Sequence, residues 1–269
     1  MRPRLLRLLL VAALGASAAA ATSAAQQAPP GSAASPASAK SQKKQSKPKR
    51  EARVTAPREQ PPRESKPKVF KGVCRVQKAK PFLKRESFVV KGQLQALPHQ
   101  RAVKYRVEHY GRLDGVPFEK LNPKNAYAYA KSVRFLGLPI QVHEKVAPAL
   151  SCVETRIRKT CNAKGRRYVP KAIGGFRQAN TYRGGEVSNH LFGIAIDIDP
   201  ERNPCCGCVD PWPNHRYCKK DVKKVEEKTE LTACWIDAFE RYGFYWLGRD
   251  TLEDTMHFEF LGDPERIIP

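Results

Sequence analysis

The sequence predicts an α+β fold, and three features predict it. Two short stretches in the C-terminal half, Ile194 to Asp199 and Met256 to Phe260, alternate apolar and polar side chains with the two-residue period of a strand. Three other stretches carry helix signals. A segment rich in cysteine, proline and glycine separates the two strands and has the pattern of neither element.

Taken in order, the chain begins with Arg2, Arg4 and Arg7 around an apolar run from Leu5 to Leu14, followed by small residues up to Ala25. This is the pattern of a secretory signal peptide, with an apolar core too short to span a bilayer. No later stretch is apolar enough to cross a membrane, and no cysteine follows the cleavage zone as a lipoprotein would require. The expected location is exported, periplasmic or extracellular. Residues 26–68 hold Pro, Ser, Ala, Lys and Gln and almost no large apolar side chains, so they cannot bury enough surface to offset chain entropy. They read as a disordered basic linker. Its densest cluster is Lys43, Lys44, Lys47, Lys49 and Arg50. A solvated spacer is the simpler reading; the functional one is a tether to an anionic cell-wall or envelope surface.

Residues 69–118 turn globular, with Cys74, Val89-Val90, Tyr105 and Tyr110, and form an N-terminal extension or subdomain. Residues 119–269 form the main domain. Asn122-Pro123 supplies a capping side chain and a first-turn proline, which predicts a helix over Ala126–Leu136, stopped near Gly137 and Pro139. A second helix is expected over Glu144–Arg158. Gly174-Gly175 breaks the chain before Phe176-Arg177. A third helix, Cys234–Arg241, is amphipathic, with Trp235, Ala238 and Phe239 on one side. Gly243 to Trp246 reads as a turn and a strand.

The insert, residues 200–234, holds Cys205, Cys206, Cys208 and Cys218, with Cys234 at its end opening the next helix, five of the eight cysteines. They could bind a structural zinc, but an even cysteine count in an exported chain favours disulfides. Connectivity is not readable, although Cys152 and Cys161 are close enough to suggest a pair.

The chemistry lies on the polar faces of the two strands. Ile194, Ile196 and Ile198 form one buried face; Ala195, Asp197 and Asp199 fall opposite. His190 precedes the strand across Gly193. In the second strand Met256, Phe258 and Phe260 face one way, His257 and Glu259 the other. Two histidines and one aspartate make a three-ligand set with one open position, the pattern of catalytic zinc. Asp254 would take a proton from the water. Glu253 is its competitor for that role. Glu259 is expected to orient a ligand imidazole, and Asp199 is expected to be surface charge. His99, His109, His143 and His215 lack matching partners.

These residues carry a resemblance. Ser188-x-His190-x-x-Gly193-x-Ala195-x-Asp197, followed far downstream by Asp254-x-Met256-His257-Phe258-Glu259, resembles the zinc D-alanyl-D-alanine carboxypeptidase and L-alanyl-D-glutamate endopeptidase family. The resemblance covers residues 120–262. It implies a small antiparallel sheet flanked by helices, a fold shared with hedgehog signalling domains. It implies one zinc ion held by His190, Asp197 and His257, and a peptidoglycan stem peptide as substrate. Gly175-Phe176-Arg177 resembles the family's Gly-Tyr-Arg element, which makes Arg177 a substrate anchor or oxyanion stabiliser, with Arg183 as the fallback. Ser188 resembles a serine that contacts substrate, and could equally be a turn residue. Leu247-Gly248-Arg249 stands where the family has Trp-Gly-Gly.

Lys and Arg number 49 against 26 Asp and Glu, a formal net charge of +23, which favours polyanionic partners. For an exported chain with no aromatic platform interleaving the lysines of its basic linker, that means wall polymer and not nucleic acid. A monomer is expected. Two rivals stand beside the peptidase reading: a non-catalytic zinc-containing wall-binding module, and a disulfide-stapled adhesion or structural protein.

Overall fold

The computed structural model describes residues 74–161, 168–182, 184–209 and 212–268. The expected signal peptide and basic linker, and Arg183, lie outside the described residues. The architecture is α+β, with small antiparallel sheets and three α-helices among the described residues.

Strands β1 (Val89–Val90) and β2 (Gln93–Leu94) form a short hairpin that leads into helix α1 (Ala96–Tyr110). A second hairpin joins β3 (Ala130–Phe135) to β4 (Leu138–His143). Helix α2 (Ala147–Arg156) follows and runs into a π-helical turn, Ile157–Cys161. The central sheet has the order β5 (Ile173–Gly174), β6 (Ala195–Ile198), β8 (His257–Phe260), β7 (Phe244–Trp246), antiparallel throughout. Helix α3 (Ala233–Glu240) precedes β7.

The apolar face of the sheet is the reason the strands stay together. Ile196, Ile198, Phe258 and Phe260 are fully buried, together with Leu150 and Val153 of α2 and Trp235 and Phe239 of α3. Phe239 stacks on Phe258 with ring centroids 4.1 Å apart. Each such side chain contributes about 1.5–3 kcal/mol by leaving water. Val103, Val107 and Tyr110 of α1 join the same core. The opposite face of β6 and β8 is therefore the one left for polar groups.

Two expectations need correction. The helix predicted over Ala126–Leu136 is a 3-10 turn, Ala126–Tyr129, followed by β3. Asn125, not Asn122, caps it, accepting from the Tyr127 amide at 2.9 Å. Leu136 and Gly137 both have positive φ, 50° and 93°, the geometry of a two-residue hairpin loop. The glycine that reads as a helix stop is thus a hairpin turn, and Val133 and Phe135 point inward at a strand's spacing. The pairing of Cys152 with Cys161 is also wrong. Both lie on one continuous helical run, where nine residues span about 13 Å, beyond disulfide reach. Cys152 pairs with Cys74, and Cys161 with Cys234. In the insert, Cys205 pairs with Cys208 and Cys206 with Cys218, as the disulfide reading expects. The second helix starts three residues later than expected, because Glu144 to Val146 form a turn. The third is Ala233–Glu240, shifted by one residue from the expected bounds. Among the described residues no helix is long and apolar enough to cross a membrane.

His143 at the end of β4 tests the core. Its Nε2 hydrogen-bonds the Tyr110 carbonyl at 3.1 Å and its Nδ1 accepts the Lys145 amide at 3.1 Å, so the neutral ring is fully satisfied. Burial, reinforced by Lys145, pushes its pKa down to about 4. The unfolded chain, with a histidine near about 6.5, therefore binds the extra proton first. The neutral ring's stabilisation is complete above that value and is lost as pH falls towards about 4, to a limit of roughly 3 kcal/mol. Urea unfolding at pH 7 and pH 4 should show a smaller acid loss for His143→Gln than for the wild type; equal losses contradict this.

Candidate metal centre

The register of β6 against β8 places Asp197 directly opposite His257. Residues opposite each other share a face, so both side chains leave the sheet on its polar side. His190 comes from the 3-10 turn Asn189–Phe192 just before β6. Ser188 caps this turn, its hydroxyl accepting the His190 amide at 3.3 Å. Gly193 ends it with φ 66°, and a Cβ there would stand 2.1 Å from the Phe176 ring. The turn and the strand are thereby held at a fixed angle.

Three side chains converge. His257 Nδ1 lies 2.7 Å from Asp197 Oδ1, His190 Nε2 lies 3.1 Å from Asp197 Oδ2, and the two imidazole nitrogens are 3.2 Å apart. The outer nitrogens decide the tautomers. His190 Nδ1 donates to the Gly175 carbonyl at 2.6 Å, and His257 Nε2 donates to Glu259 Oε1 at 3.2 Å. In the neutral rings both inner nitrogens then carry a lone pair, and both face a carboxylate. Three acceptors this close repel one another unless a positive charge lies among them.

The titration behaviour says the same. Burial disfavours charge at His257, but Asp197 and then Glu259 outweigh it and push the imidazole well above its usual pKa. Burial likewise disfavours the Asp197 carboxylate, yet His190 and His257 hold its pKa well below the usual range. At His190 burial dominates and lowers the pKa. Glu259 keeps its charge against burial because His257 faces it.

The donor set fits zinc. Four-coordinate zinc binds imidazole nitrogen and carboxylate oxygen at about 2.0–2.2 Å, which sets ligand atoms about 3.3 Å apart in a tetrahedron. The two nitrogens are close to that spacing already. Among the described residues a second group, Cys205, Cys208 and Asp254, also converges, but its two sulfurs are bonded to each other.

The centre opens into a cavity of about 540 Å³ that also holds Arg177, Ser188 and Asp254. Asp254 Oδ1 is buried with no hydrogen-bond partner. Burial pushes its carboxyl up to about 7, with His257 opposing and Asp197 adding to the shift. Glu253, the competitor, pairs with Lys228 at 2.6 Å and is not on the cavity wall. Its φ of 44° turns the chain between the two acids, which is why neighbours project differently. Arg177 Nη2 bonds Asp197 Oδ2 at 2.9 Å, and its side chain is the exposed member of the cluster.

Asp199 departs from expectation. It is buried and accepts from the Lys171 and Ala172 amides at 2.7 and 2.6 Å, from the Tyr168 hydroxyl and from Arg202. Its φ of 43° breaks the strand's alternation and turns the carboxyl away from Asp197's face. Of the other histidines, His143 is held by the hydrogen bonds described above, and His215 Nε2 bonds the Glu201 carbonyl at 2.9 Å.

Sequence reasoning missed the cavity's far walls. Arg85 arrives from before β1, Tyr182 and Glu186 from the loop preceding His190, and Trp212 from the insert.

Residues 181–260 match the family model of D-alanyl-D-alanine carboxypeptidase. This segment is similar to the D-alanyl-D-alanine carboxypeptidase family. The matched segment contains Ser188, His190, Asp197, Asp254, His257 and Glu259, while Arg177 and Arg85 lie upstream of it. Such peptidases are typically zinc-dependent, in keeping with the donor set. No curated protein and no solved structure shows a significant match to the chain.

If Glu259 fixes the His257 tautomer, Glu259→Gln should weaken zinc binding by roughly 10–100-fold while leaving a folded protein. Titration calorimetry on metal-stripped protein reads this directly; unchanged affinity removes Glu259 from the centre.

Proposed function

We propose that the chain is an exported zinc metallopeptidase acting on peptidoglycan stem peptides, on a hedgehog/D,D-peptidase-type fold. The observation that carries the proposal is the convergence of His190 Nε2, His257 Nδ1 and the Asp197 carboxylate beside a cavity whose wall includes Asp197, His257 and Asp254 with its unpartnered oxygen. The family match over residues 181–260 supports a peptidase acting on such bonds.

His190, Asp197 and His257 would hold the ion. Zinc, when bound, acts as a Lewis acid and makes water nucleophilic near neutral pH. The protein's own residues do the rest. Asp254 accepts a proton from the attacking water and delivers it to the leaving amine, which becomes a good leaving group only when protonated. Arg177 offers a fixed cation to the oxygen that gains charge in the tetrahedral transition state. Glu259 holds the proton on His257 Nε2, and Ser188, on the cavity wall, holds the His190 turn. The bond attacked is D-Ala-D-Ala or L-Ala-D-Glu.

The net charge of +23 suits an anionic wall. In this reading residues 1–25 direct export, residues 26–68 link or tether the protein to that surface, and residues 119–269 form the peptidase domain with residues 69–118 as its extension. The protein works as a monomer and has no nucleic-acid partner.

Mass spectrometry of synthetic stem peptides and purified peptidoglycan digested by zinc-loaded protein tests the reading. Asp254→Asn should lower kcat by roughly 10²–10⁴-fold at unchanged zinc content. Bound zinc with no product from the wild type would favour a non-catalytic wall-binding module; full activity in the variant would remove Asp254 as base.

A further inference from the structure

Arg85 is the most heavily bonded cation on the cavity wall, and it lies outside the family-matched segment. It sits in a 3-10 turn, Arg85–Ser87, just before β1. Its Nε and Nη2 donate to the two carboxylate oxygens of Glu186 at 2.9 and 2.8 Å. Its Nη1 donates to Asp250 Oδ1 at 2.8 Å and to the Thr251 hydroxyl at 3.3 Å. The Arg85 and Glu186 side chains are each 12% exposed and that of Asp250 only 2%.

The two carboxylates belong to the two loops that frame the site. Glu186 is two residues before Ser188, in the loop that leads to His190. Asp250 begins the turn that ends at Asp254. Asp250 Oδ1 also accepts the Leu252 amide at 3.0 Å, and the Asp250 carbonyl accepts the Glu253 amide at 2.8 Å. This one residue, through its carboxylate and its carbonyl, therefore shapes the turn that carries the proposed base. On its other flank the turn is paired with the insert: the Cys206 amide donates to the Glu253 carbonyl at 3.1 Å and the Gly207 amide to the Leu252 carbonyl at 2.6 Å.

Without a cation, Glu186 and Asp250 would be two enclosed carboxylates facing each other, and their repulsion would drive the loops apart. A bidentate guanidinium neutralises both and fixes their separation, which a lysine's single ammonium does less well.

We propose that Arg85 is a positioning residue that locks the His190 loop to the Asp254 turn, so that the working site includes the segment before β1. The inference rests on the peptidase reading for its consequence, but not for its geometry. Holding Asp254 within reach of the attacking water's proton matters because a misplacement of about 1 Å can cost roughly 10²-fold in rate. A residue that only stabilises the fold would lower Tm and leave turnover per folded molecule intact.

The test compares Arg85→Gln and Arg85→Lys with wild type, full chain and zinc-loaded, on a synthetic peptide ending in D-Ala-D-Ala and on purified peptidoglycan. Arg85→Gln should lower kcat by roughly 10–100-fold with KM and zinc affinity little changed, and Arg85→Lys should recover part of it. Hydrogen exchange should quicken at the amides of Leu252, Glu253 and residues 184–188, while α3 stays protected. If Arg85→Gln does not fold, Glu186→Gln leaves the Asp250–Asp254 turn's own hydrogen bonds untouched, removes one of the charges Arg85 holds, and should give the same pattern. Wild-type kcat in the variants overturns the positioning role. If the wild type itself releases no product, the peptidase reading fails, and the exchange data alone judge the lock: unchanged exchange at those amides overturns it.

Discussion

Two imidazole lone pairs and a carboxylate meet within 3.2 Å of one another, with their outer nitrogens already committed to Gly175 and Glu259. That arrangement is unfavourable alone and favourable around a cation. The rest of the molecule can be read as the means of imposing it. The β6–β8 register sets Asp197 against His257, the Gly193 turn brings in His190, and the apolar face below fixes both strands by packing. A shift of one residue in that register would turn His257 into the core and Phe258 towards the cavity.

The strands and their chemistry were legible because they obey a local rule. Alternation over Ile194–Ile198 and Met256–Phe260 is a two-residue signal, and it carries both the buried face and the polar one. The helix at α3 was legible for the same reason, through its three apolar positions. The β3–β4 hairpin was not: Asn122-Pro123 and Gly137 are valid helix punctuation, and the sequence before Leu136 gives no warning that two positive-φ residues will fold it back. Asp199 misled in the opposite way. The alternation that correctly places Asp197 fails two residues later, because φ turns positive and a set of backbone amides captures the carboxyl.

The disulfides and the cavity's far walls depend on distance along the chain, not on pattern. Cys74 reaches Cys152 across 78 residues and Cys161 reaches Cys234 across 73. Arg85 reaches Asp250 across 165 residues, and Glu186 across 101. Nothing near Arg85 marks it as belonging to a site, since its partners are carboxylates that look like ordinary surface charge until the loops are folded. The segment before β1 and the cysteine-rich insert therefore flank the Asp254 turn from opposite sides, one through charge and the other through backbone pairing.

The central claim is that one ion is held by His190, Asp197 and His257. X-ray absorption at the zinc edge on the purified, zinc-loaded protein tests it most directly. The account predicts a first shell of nitrogen and oxygen only, at about 2.0–2.2 Å, lost in His190→Ala and in Asp197→Ala. A shell containing sulfur at about 2.3 Å, or zinc retained unchanged in both variants, would contradict it.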